Sequence, residues 1–401
     1  MSFMNTPHFL IIGGGIGGMS AALALAKIGC RITLLEQAAQ LGEIGAGLQL
    51  APNAFAALDW LGVGEAVRRA SVFTERMVMM DAIDCSEVGA IPVGDAFRTR
   101  FSNPYAVTHR ADLHEAITNA VRATANIDFH TATTISEINL SHGVRALAND
   151  GRVFEADALV GCDGVKSVVR AHLWGDPVRV SGHVVYRAVV PVADMPEDLR
   201  WNAPVVWAGP NCHLVHYPLR SGDQYNLVVT FHSREQETWR VSEGSQEEVL
   251  SYFEGIHARP RQLLNLPTSW RRWATADREP IAQWSKGHAT LLGDAAHPMM
   301  QYLAQGACMA IEDAVTLAHA LQKSAMNIEQ GFDLYQKARV ARTARVVLSV
   351  REMGRLYHAK GVERLVRNSL WRGRSPEHFF NAVAWLYDWR PESCLQAAEH
   401  A

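Results

Sequence analysis

Cysteine pairs of the kind used in redox or zinc chemistry are absent from this 401-residue chain. Its six cysteines are widely spaced, and no two of them form a C-x-x-C motif. This spacing excludes a thioredoxin-like dithiol, a disulfide reductase and a zinc ribbon. No H-E-x-x-H motif or other tight cluster of metal ligands occurs either, so we predict no metal site. A reduced protein of the cytoplasm is the simplest interpretation.

The chain also lacks a strong charge of either sign and a long unbroken apolar run. Lys and Arg number 38 against 41 Asp and Glu, so no overall field would attract nucleic acid or an anionic membrane. The apolar run from Leu10 to Ile28 contains five glycines between positions 13 and 18. Because each glycine costs about 1 kcal/mol inside a helix, this run predicts a strand, a turn and a helix rather than a membrane span.

A βαβ pattern occupies residues 9–36, with a glycine-rich turn between its first strand and its helix. Gly13, Gly15 and Gly18 form the motif G-x-G-x-x-G, and the second strand ends at Glu36. Glycines let the backbone approach a pyrophosphate, and the acid can accept hydrogen bonds from ribose hydroxyls. The pattern therefore predicts dinucleotide binding, and an acid at this position favours FAD or NAD over a 2′-phosphorylated cofactor.

Three further polar residues are candidate cofactor contacts, each with a structural alternative. Gln49, in a glycine-broken extended stretch at 45–50, can touch the ligand or simply stand exposed. Arg110 begins a predicted helix, where a cation opposes the helix dipole unless it pairs with phosphate; otherwise it is a surface arginine. Asp163 ends a strand just before Gly164, so it can fix phosphates or loops, or it can cap the following helix.

Alternating strands between residues 181 and 233 predict an antiparallel sheet laid over the nucleotide domain. In the strand at 212–219, a period of two places His213 and Tyr217 on one face and His216 on the other. The face with His213 and Tyr217 is either the lining of a pocket for a polar aromatic molecule or an ordinary half-exposed sheet surface.

The stretch 289–321 predicts a strand that ends near Asp294, a turn marked by proline, and a helix that begins near Gly306 and Ala307. A helix N-terminus carries unpaired N–H groups and partial positive charge, so it favours a ligand that is or becomes negative. Amphipathic helices follow at 328–357 and 361–371. Five arginines between positions 339 and 355 are interpreted as a solvated face rather than a nucleic-acid site.

Three signatures now stand in sequence order: the G-x-G-x-x-G turn with Glu36, then Asp163-Gly164-x-x-Ser167-x-x-Arg170, then Leu292-Gly293-Asp294-Ala-Ala-His297-Pro298. Together they resemble the single-component flavoprotein aromatic hydroxylases, and the resemblance covers nearly the whole chain. Many relatives carry the motif Gly-Gln-Gly-Ala-Asn before the flavin helix, where this chain has Ala304-Gln-Gly-Ala-Cys308.

The resemblance implies an α/β fold: a Rossmann-like FAD-binding domain with an inserted antiparallel-sheet substrate domain and a helical C-terminal region. The FAD-binding domain would comprise residues 1–72, 105–176 and 277–355, and the substrate domain residues 73–104 and 177–276. Residues 356–401 would form the C-terminal helical region, which is interpreted as core packing or a homodimer contact.

The resemblance also implies the roles of individual residues. Gly13, Gly15, Gly18 and Glu36 would hold the ADP half of FAD, Arg110 its pyrophosphate region and Asp294 its ribitol chain. His213, Tyr217 and Gln301 would face the substrate near the flavin ring, and the helix at Gly306 and Ala307 would meet the reduced flavin edge. No second Rossmann unit for NADH is implied.

We therefore expect an NADH-dependent monooxygenase that hydroxylates 3-hydroxybenzoate para to its phenol oxygen, giving gentisate through a flavin hydroperoxide formed with O₂. Two alternatives stay open. The first is decarboxylative hydroxylation of salicylate, which would give catechol. The second is a non-catalytic flavoprotein that senses aromatic acids.

Overall fold

The computed structural model describes residues 6–41, 47–141 and 143–399. A five-stranded parallel sheet forms the centre of the N-terminal part of the fold. In this sheet the strand order is β19-β12-β1-β2-β8, from Ala289–Leu291, Ala158–Gly161, His8–Ile12, Arg31–Leu35 and Ile127–His130, and every neighbouring pair is parallel. The chain leaves β1 in opposite directions to reach β2 and β12. A crevice at the carboxyl ends of such strands is the usual place for a dinucleotide.

The other strands complete three antiparallel or mixed sheets. They are β3 (Gly47–Leu50), β4 (Ser71–Phe73), β5 (Arg76–Asp81), β6 (Glu87–Pro92), β7 (Ala106–His109), β9 (Ile135–Asn139), β10 (Val144–Ala148), β11 (Val153–Ala156), β13 (Arg179–Pro191), β14 (Val205–Gly209), β15 (Cys212–Leu219), β16 (Gln224–His232), β17 (Val241–Gly244) and β18 (Trp270–Asp277).

The helices pack against the parallel sheet, against the eight-stranded sheet (as α7 does through Val249) or on the C-terminal side. They are α1 (Ile16–Lys27), α2 (Pro52–Leu61), α3 (Gly64–Arg69), α4 (Asp95–Phe101), α5 (Arg110–Ala123), α6 (Val168–Leu173), α7 (Gln246–Tyr252), α8 (Ala258–Arg261), α9 (Gly306–Lys323), α10 (Ile328–Tyr357), α11 (Gly361–Trp371), α12 (Pro376–Tyr387) and α13 (Gln396–Glu399). Within the described ranges, no helix is both long and apolar enough to cross a membrane.

An eight-stranded sheet carries the second structural layer, in the order β17-β18-β13-β16-β15-β14-β5-β6. Its neighbours are antiparallel except for β14 and β5, which are parallel. We call one side of it the core face, because Leu214, Val229 and Trp207 pack there into a separate apolar cluster. The opposite side, here the site face, carries His213, Val215, Tyr217, Thr230 and Arg187, which the strand register places together.

The predicted α/β class with an added antiparallel sheet and a helical C-terminal region is confirmed. The strand register also confirms that His213 and Tyr217 share one face while His216 lies on the other. Two local interpretations of the sequence differ from the structure. The pattern over 90–101 predicts strands and loops, but residues 95–101 form α4. The pattern over 245–257 predicts one helix, but α7 ends at Tyr252. Of the extended stretch predicted at 45–50, residues 45 and 46 lie outside the described ranges.

The arginines of α10 do not form a single solvated face, contrary to the sequence interpretation. Arg339 is completely buried, and its guanidinium bonds Asp313 and Glu312, each at 2.6 Å. Arg342 bonds Glu312 at 2.7 Å, whereas Arg355 stays exposed. Glu312 and Asp313 on α9 are buried acids. Arg339 and Arg342 on α10 therefore face inward, where they neutralise these carboxylates. Removing one partner of such a buried ion pair typically lowers the free energy of unfolding by about 3–5 kcal/mol.

Candidate functional site

The glycine turn after β1 forms a close-packed cradle that a side chain would fill. Gly13 has φ 109°, and a Cβ there would lie 2.3 Å from the carbonyl oxygen of Cys162. A Cβ at Gly18 would lie 1.8 Å from the carbonyl oxygen of Gly13. At Gly15, by contrast, a Cβ would meet no protein atom within 4 Å. Two of the three motif glycines therefore permit tight packing of α1 on the sheet, and the third leaves open space at the helix N-terminus.

Glu36 lies at the carboxyl end of β2, beside this turn. One carboxylate oxygen accepts a hydrogen bond from the Gly14 N–H at 2.7 Å, and the other accepts one from the Ala38 N–H at 2.8 Å. These bonds hold the carboxylate over the turn. Each oxygen keeps further lone pairs, so a ribose hydroxyl can still donate to Glu36.

Arg110 is the first residue of α5, whose N-cap is the His109 side chain. The Arg110 side chain is exposed, and its charge acts on the carboxyl group of Asp294. Burial raises the pKa of Asp294, while His297 and Arg110 oppose that rise. Asp294 thus reaches solvent and lies within the electrostatic range of the Arg110 cation.

Gln49 and Asp163 both have protein partners. The Gln49 side-chain oxygen accepts a hydrogen bond from the Tyr105 hydroxyl. One oxygen of Asp163 accepts from the Ser167 hydroxyl at 2.5 Å, and the other accepts from the Val168 N–H at 2.7 Å. Asp163 therefore caps α6, the structural alternative in the sequence interpretation. Its predicted contact with the cofactor stays a prediction, as does that of Gln49.

The loop after β19 is fixed by buried polar contacts. His297 Nε2 lies 2.5 Å from Asp313 Oδ2, and the same oxygen accepts from the Gly293 N–H at 3.1 Å. Arg170 donates to the carbonyl oxygens of Ala295 and Ala296 at 3.1 and 2.7 Å. The loop is therefore attached to both α9 and α6, which sets the position of Asp294.

The helix α9 begins after a left-handed turn. Ala304, at the place where many relatives have glycine, has φ 52°. Gln305 is the N-cap residue of α9 but gives no side-chain cap, because its side-chain oxygen accepts from Asn53 at 3.0 Å. The N–H groups at Gly306 and Ala307 therefore remain at an uncapped helix end, where partial positive charge favours a negative ligand edge.

On the site face of the eight-stranded sheet, Gln301 lies close to His213, whereas Tyr217 lies further along β15. The Gln301 amide donates to the Thr230 hydroxyl at 3.1 Å, and Thr230 lies opposite His213 in the strand register. Tyr217 lies four residues beyond His213 on the same strand, roughly 13 Å away at the usual strand rise. Its ring packs on Gly47, where a Cβ would lie 2.5 Å from the ring.

Burial sets the protonation of these groups. It lowers the pKa of His213 to about 3, with a smaller contribution from His183, so His213 is neutral near pH 7. Burial also raises the pKa of the Tyr217 hydroxyl, although Arg187 opposes this, so Tyr217 remains a hydrogen-bond donor. The face thus presents a neutral base at one end and a phenol donor at the other.

Sequence reasoning missed two residues of this region. Arg187 stands on β13 of the site face, near enough to Tyr217 for each to shift the other's pKa. His358, the C-cap residue of α10, places Nε2 2.8 Å from His213 Nδ1. Arg187 could have been found from the sequence, because it follows Tyr186 on a strand of alternating residues. His358 lies 145 positions from His213, and no local sequence pattern points to it.

The N-termini of α1 and α9 lie at the carboxyl edge of the parallel sheet. Together they suit a dinucleotide cofactor whose second half is a ring system. Open space at Gly15 would admit a pyrophosphate, Glu36 would hold a ribose, and Asp294 lies between that half and the N-terminus of α9. A Cβ at Gly17 would contact both Leu292 and Ala310, so α1 and α9 start side by side. Their N-terminal charges therefore act on the same crevice.

Comparisons with known proteins also indicate an FAD-binding chain. Residues 7–349 match the family model described as an FAD-binding domain. The chain is 60% identical over 387 residues to a 3-hydroxybenzoate 6-hydroxylase of Polaromonas naphthalenivorans, covering 96% of this chain and 97% of that protein. It is 58% identical to a 3-hydroxybenzoate 6-hydroxylase of Klebsiella oxytoca, covering 97% and 98% of the two chains.

Solved structures show the same fold at lower identity. A salicylate hydroxylase in a substrate complex matches with a TM-score of 0.82 at 24% identity, covering 98% of both chains. Klebsiella pneumoniae HpxO, complexed with FAD and uric acid, matches with a TM-score of 0.83 at 21% identity, covering 95% of this chain and 96% of that one. This chain belongs to the single-component flavoprotein aromatic hydroxylases and is an FAD-binding monooxygenase.

Proposed function

We propose that the protein hydroxylates 3-hydroxybenzoate para to its phenol oxygen, giving gentisate, with NADH as reductant and O₂ as oxidant. The arrangement on the site face supports this proposal most directly. A neutral buried base, His213, and a protonated phenol, Tyr217, stand at two ends of one surface, with Gln301 attached beside His213. The names of the relatives that are 60% and 58% identical point to the same substrate.

Each end of this surface suits one end of the substrate. The Tyr217 hydroxyl donates a hydrogen bond to the carboxylate, and the nearby Arg187 guanidinium supplies the positive charge that a carboxylate prefers. At the other end, His213 Nδ1 is bonded to His358, so Nε2 is the nitrogen that meets the phenol oxygen. The Gln301 amide nitrogen donates to Thr230, which leaves its amide oxygen as the group that would accept a hydrogen bond from the ligand.

His213 makes the aromatic ring electron-rich by taking the phenol proton. A phenol with a pKa near 10 needs a downward shift of roughly 3 units, about 4 kcal/mol, to ionise readily at pH 7. A base within hydrogen-bond reach lowers this barrier. FAD, when bound between α1 and α9, supplies electron transfer from NADH and activation of O₂. Glu36, Arg110 and Asp294 would hold it, and the uncapped start of α9 would favour its negative edge.

Product analysis tests the proposal. Purified protein loaded with FAD is incubated with NADH, O₂ and either 3-hydroxybenzoate or salicylate, and the products are separated and identified by mass. We expect gentisate from 3-hydroxybenzoate at near-stoichiometric NADH consumption. Catechol from salicylate as the main activity would contradict the proposal in favour of decarboxylative hydroxylation. Ligand binding without any hydroxylated product would indicate an aromatic-acid sensor.

The predicted homodimer contact in the C-terminal region stays a prediction. Its support is an apolar strip on α11, where Val362, Leu365, Val366 and Leu370 are all more than half exposed. Light scattering coupled to size-exclusion chromatography gives the mass in solution, and a mass of one chain would contradict the prediction.

A further inference from the structure

Four histidines from four separate elements form one cluster beside the site face. His213 of β15 bonds His358, at the end of α10, through Nδ1 and Nε2 at 2.8 Å. The His358 ring stacks on the ring of His183 from β13, with centroids 5.4 Å apart and 15° between the planes. The His183 ring in turn contacts His232 of β16 edge to face at 5.1 Å. We call these four residues the histidine cluster.

The cluster runs from the protein interior to the surface. His213 is 2% exposed, His358 and His183 are partly buried, and His232 is exposed. A buried tyrosine, Tyr302, supports it: the Tyr302 hydroxyl bonds His183 Nδ1, and its ring lies 5.4 Å from the His213 ring. The arrangement therefore gives an ordered series of imidazoles between the predicted substrate position and solvent.

Few charged groups act on this cluster. Arg179 and Asp277 lie at the outer end, where they act on His183 in opposite directions, and the other groups that face His358 are His213, His183 and His232. Burial, helped by these neighbouring imidazoles, holds the pKa of His358 well below its ordinary value. Among the described residues no carboxylate acts on His213 or His358, so a positive charge held at either ring would have no counter-ion there.

A solitary buried base would pay a large desolvation cost for the proton it takes. If His213 accepted a proton at Nε2 and kept its own at Nδ1, it would become an imidazolium in a position that burial disfavours. The bond to His358 offers another outcome. A neutral His213 that receives a proton at Nε2 can release the Nδ1 proton along the existing hydrogen bond, and it ends neutral with the other nitrogen protonated.

We propose that His213 and His358 form a two-imidazole proton relay that carries the substrate's phenol proton out of the site. The phenol O–H bond breaks and a His213 Nε2–H bond forms, while the His213 Nδ1–H bond breaks and a His358 Nε2–H bond forms. His358 then releases its Nδ1 proton to water on the side of His183 and His232. The phenolate remains, with a hydrogen bond donated by His213 Nε2–H.

This relay rests on the proposed function, because it assigns the phenol proton to His213. It also separates two roles. His213 touches the substrate, whereas His358 acts only through His213 and touches no substrate atom. Replacing His358 should therefore impair ionisation of a bound phenol without weakening the binding of an aromatic acid that has no phenol group.

The test uses the FAD-loaded enzyme and two ligands, 3-hydroxybenzoate and benzoate. Stopped-flow absorbance follows phenolate formation after mixing with 3-hydroxybenzoate, and a pH indicator in weak buffer follows proton release. In His358→Gln, which can accept a hydrogen bond but cannot take a proton, we expect ionisation to slow at least about tenfold. The benzoate Kd should stay within about twofold of the native value.

A second variant guards against a purely structural effect. In His358→Ala, imidazole added to the buffer should restore the ionisation rate, because His358 is partly exposed and its space can take a small base. The control is His288→Gln, at the opposite end of the parallel sheet, where the side chain bonds the Asp157 carbonyl oxygen. We expect that control to behave as the native protein does.

The outcomes distinguish the relay from the proposed function. Native ionisation rates in both His358 variants, together with slow ionisation in His213→Gln, would overturn the relay and leave His213 as the base. Native ionisation in His213→Gln would overturn both. A slow His358→Ala variant that imidazole does not restore would also count against proton transfer through His358.

Discussion

His213 and His216 lie three residues apart on β15, yet they meet opposite environments. Burial lowers the pKa of both to about 3. His213 faces the site and bonds His358, whereas His216 faces the apolar core between Trp207 and Tyr225, with ring centroids 6.5 and 6.3 Å away. Both His216 ring nitrogens lack a partner among the described residues. A strongly shifted pKa is therefore no sign of function here; what separates the two residues is the presence of a proton acceptor.

The largest expected difference between the two histidines is catalytic. His213→Gln should lower kcat for 3-hydroxybenzoate by roughly 10²–10⁴-fold, the usual contribution of a general base. His216→Phe should keep kcat within a few-fold, because the His216 ring packs on the core face, between Trp207 and Tyr225. Steady-state oxygen consumption, with product quantified to detect uncoupled peroxide, measures both. Equal losses in the two variants would show that the face of the strand does not matter.

A second, smaller effect concerns stability in acid, and here we expect the two histidines to behave alike, because burial lowers the pKa of both to about 3. Well above pH 6.5, His216 is neutral in both the folded and the unfolded states and contributes no pH dependence. As pH falls from 6.5 towards 3, the unfolded chain binds a proton that the folded His216 does not, so stability decreases by up to about 1.4 kcal/mol per pH unit.

His216→Phe should therefore lose less stability between pH 6.5 and 5 than the native protein, by about 1.6 kcal/mol. Urea unfolding at both pH values measures this change. His213→Gln serves as the matched variant, because the pKa of His213 in the folded protein is similar to that of His216. An unaltered pH dependence in His216→Phe would mean that His216 is protonated in the folded protein, contrary to its burial.

The smallest expected effect is at the other end of the site face. Tyr217→Phe removes one hydrogen bond to a charged carboxylate, worth about 1.5 kcal/mol, so KM for 3-hydroxybenzoate should rise roughly tenfold. The phenol-ionisation rate of the bound substrate should hardly change, because His213 and His358 remain. A slowed ionisation with an unchanged KM would instead place Tyr217 beside the phenol rather than the carboxylate.

The sequence by itself determined the local structural elements: the glycine turn, the strand alternation and the helices. The G-x-G-x-x-G turn with Glu36, the period-two alternation of β15 and the bounds of α10 and α11 all follow from patterns within a few residues. Turn glycines, strand alternation and helical periodicity are local consequences of backbone geometry, so they can be predicted from the chain alone. The resemblance to the family supplied the prediction that His213, Tyr217 and Gln301 face the substrate.

Only the tertiary structure decided which distant groups meet. His358 reaches His213 across 145 positions, and Arg339 turns inward because Glu312 and Asp313 on the neighbouring helix need a counter-charge. Asp163, whose sequence context suited either a cofactor contact or a cap, makes its hydrogen bonds to α6. Such contacts depend on how separate elements pack, and a helical arginine or a histidine at a helix end carries no local sign of its partner.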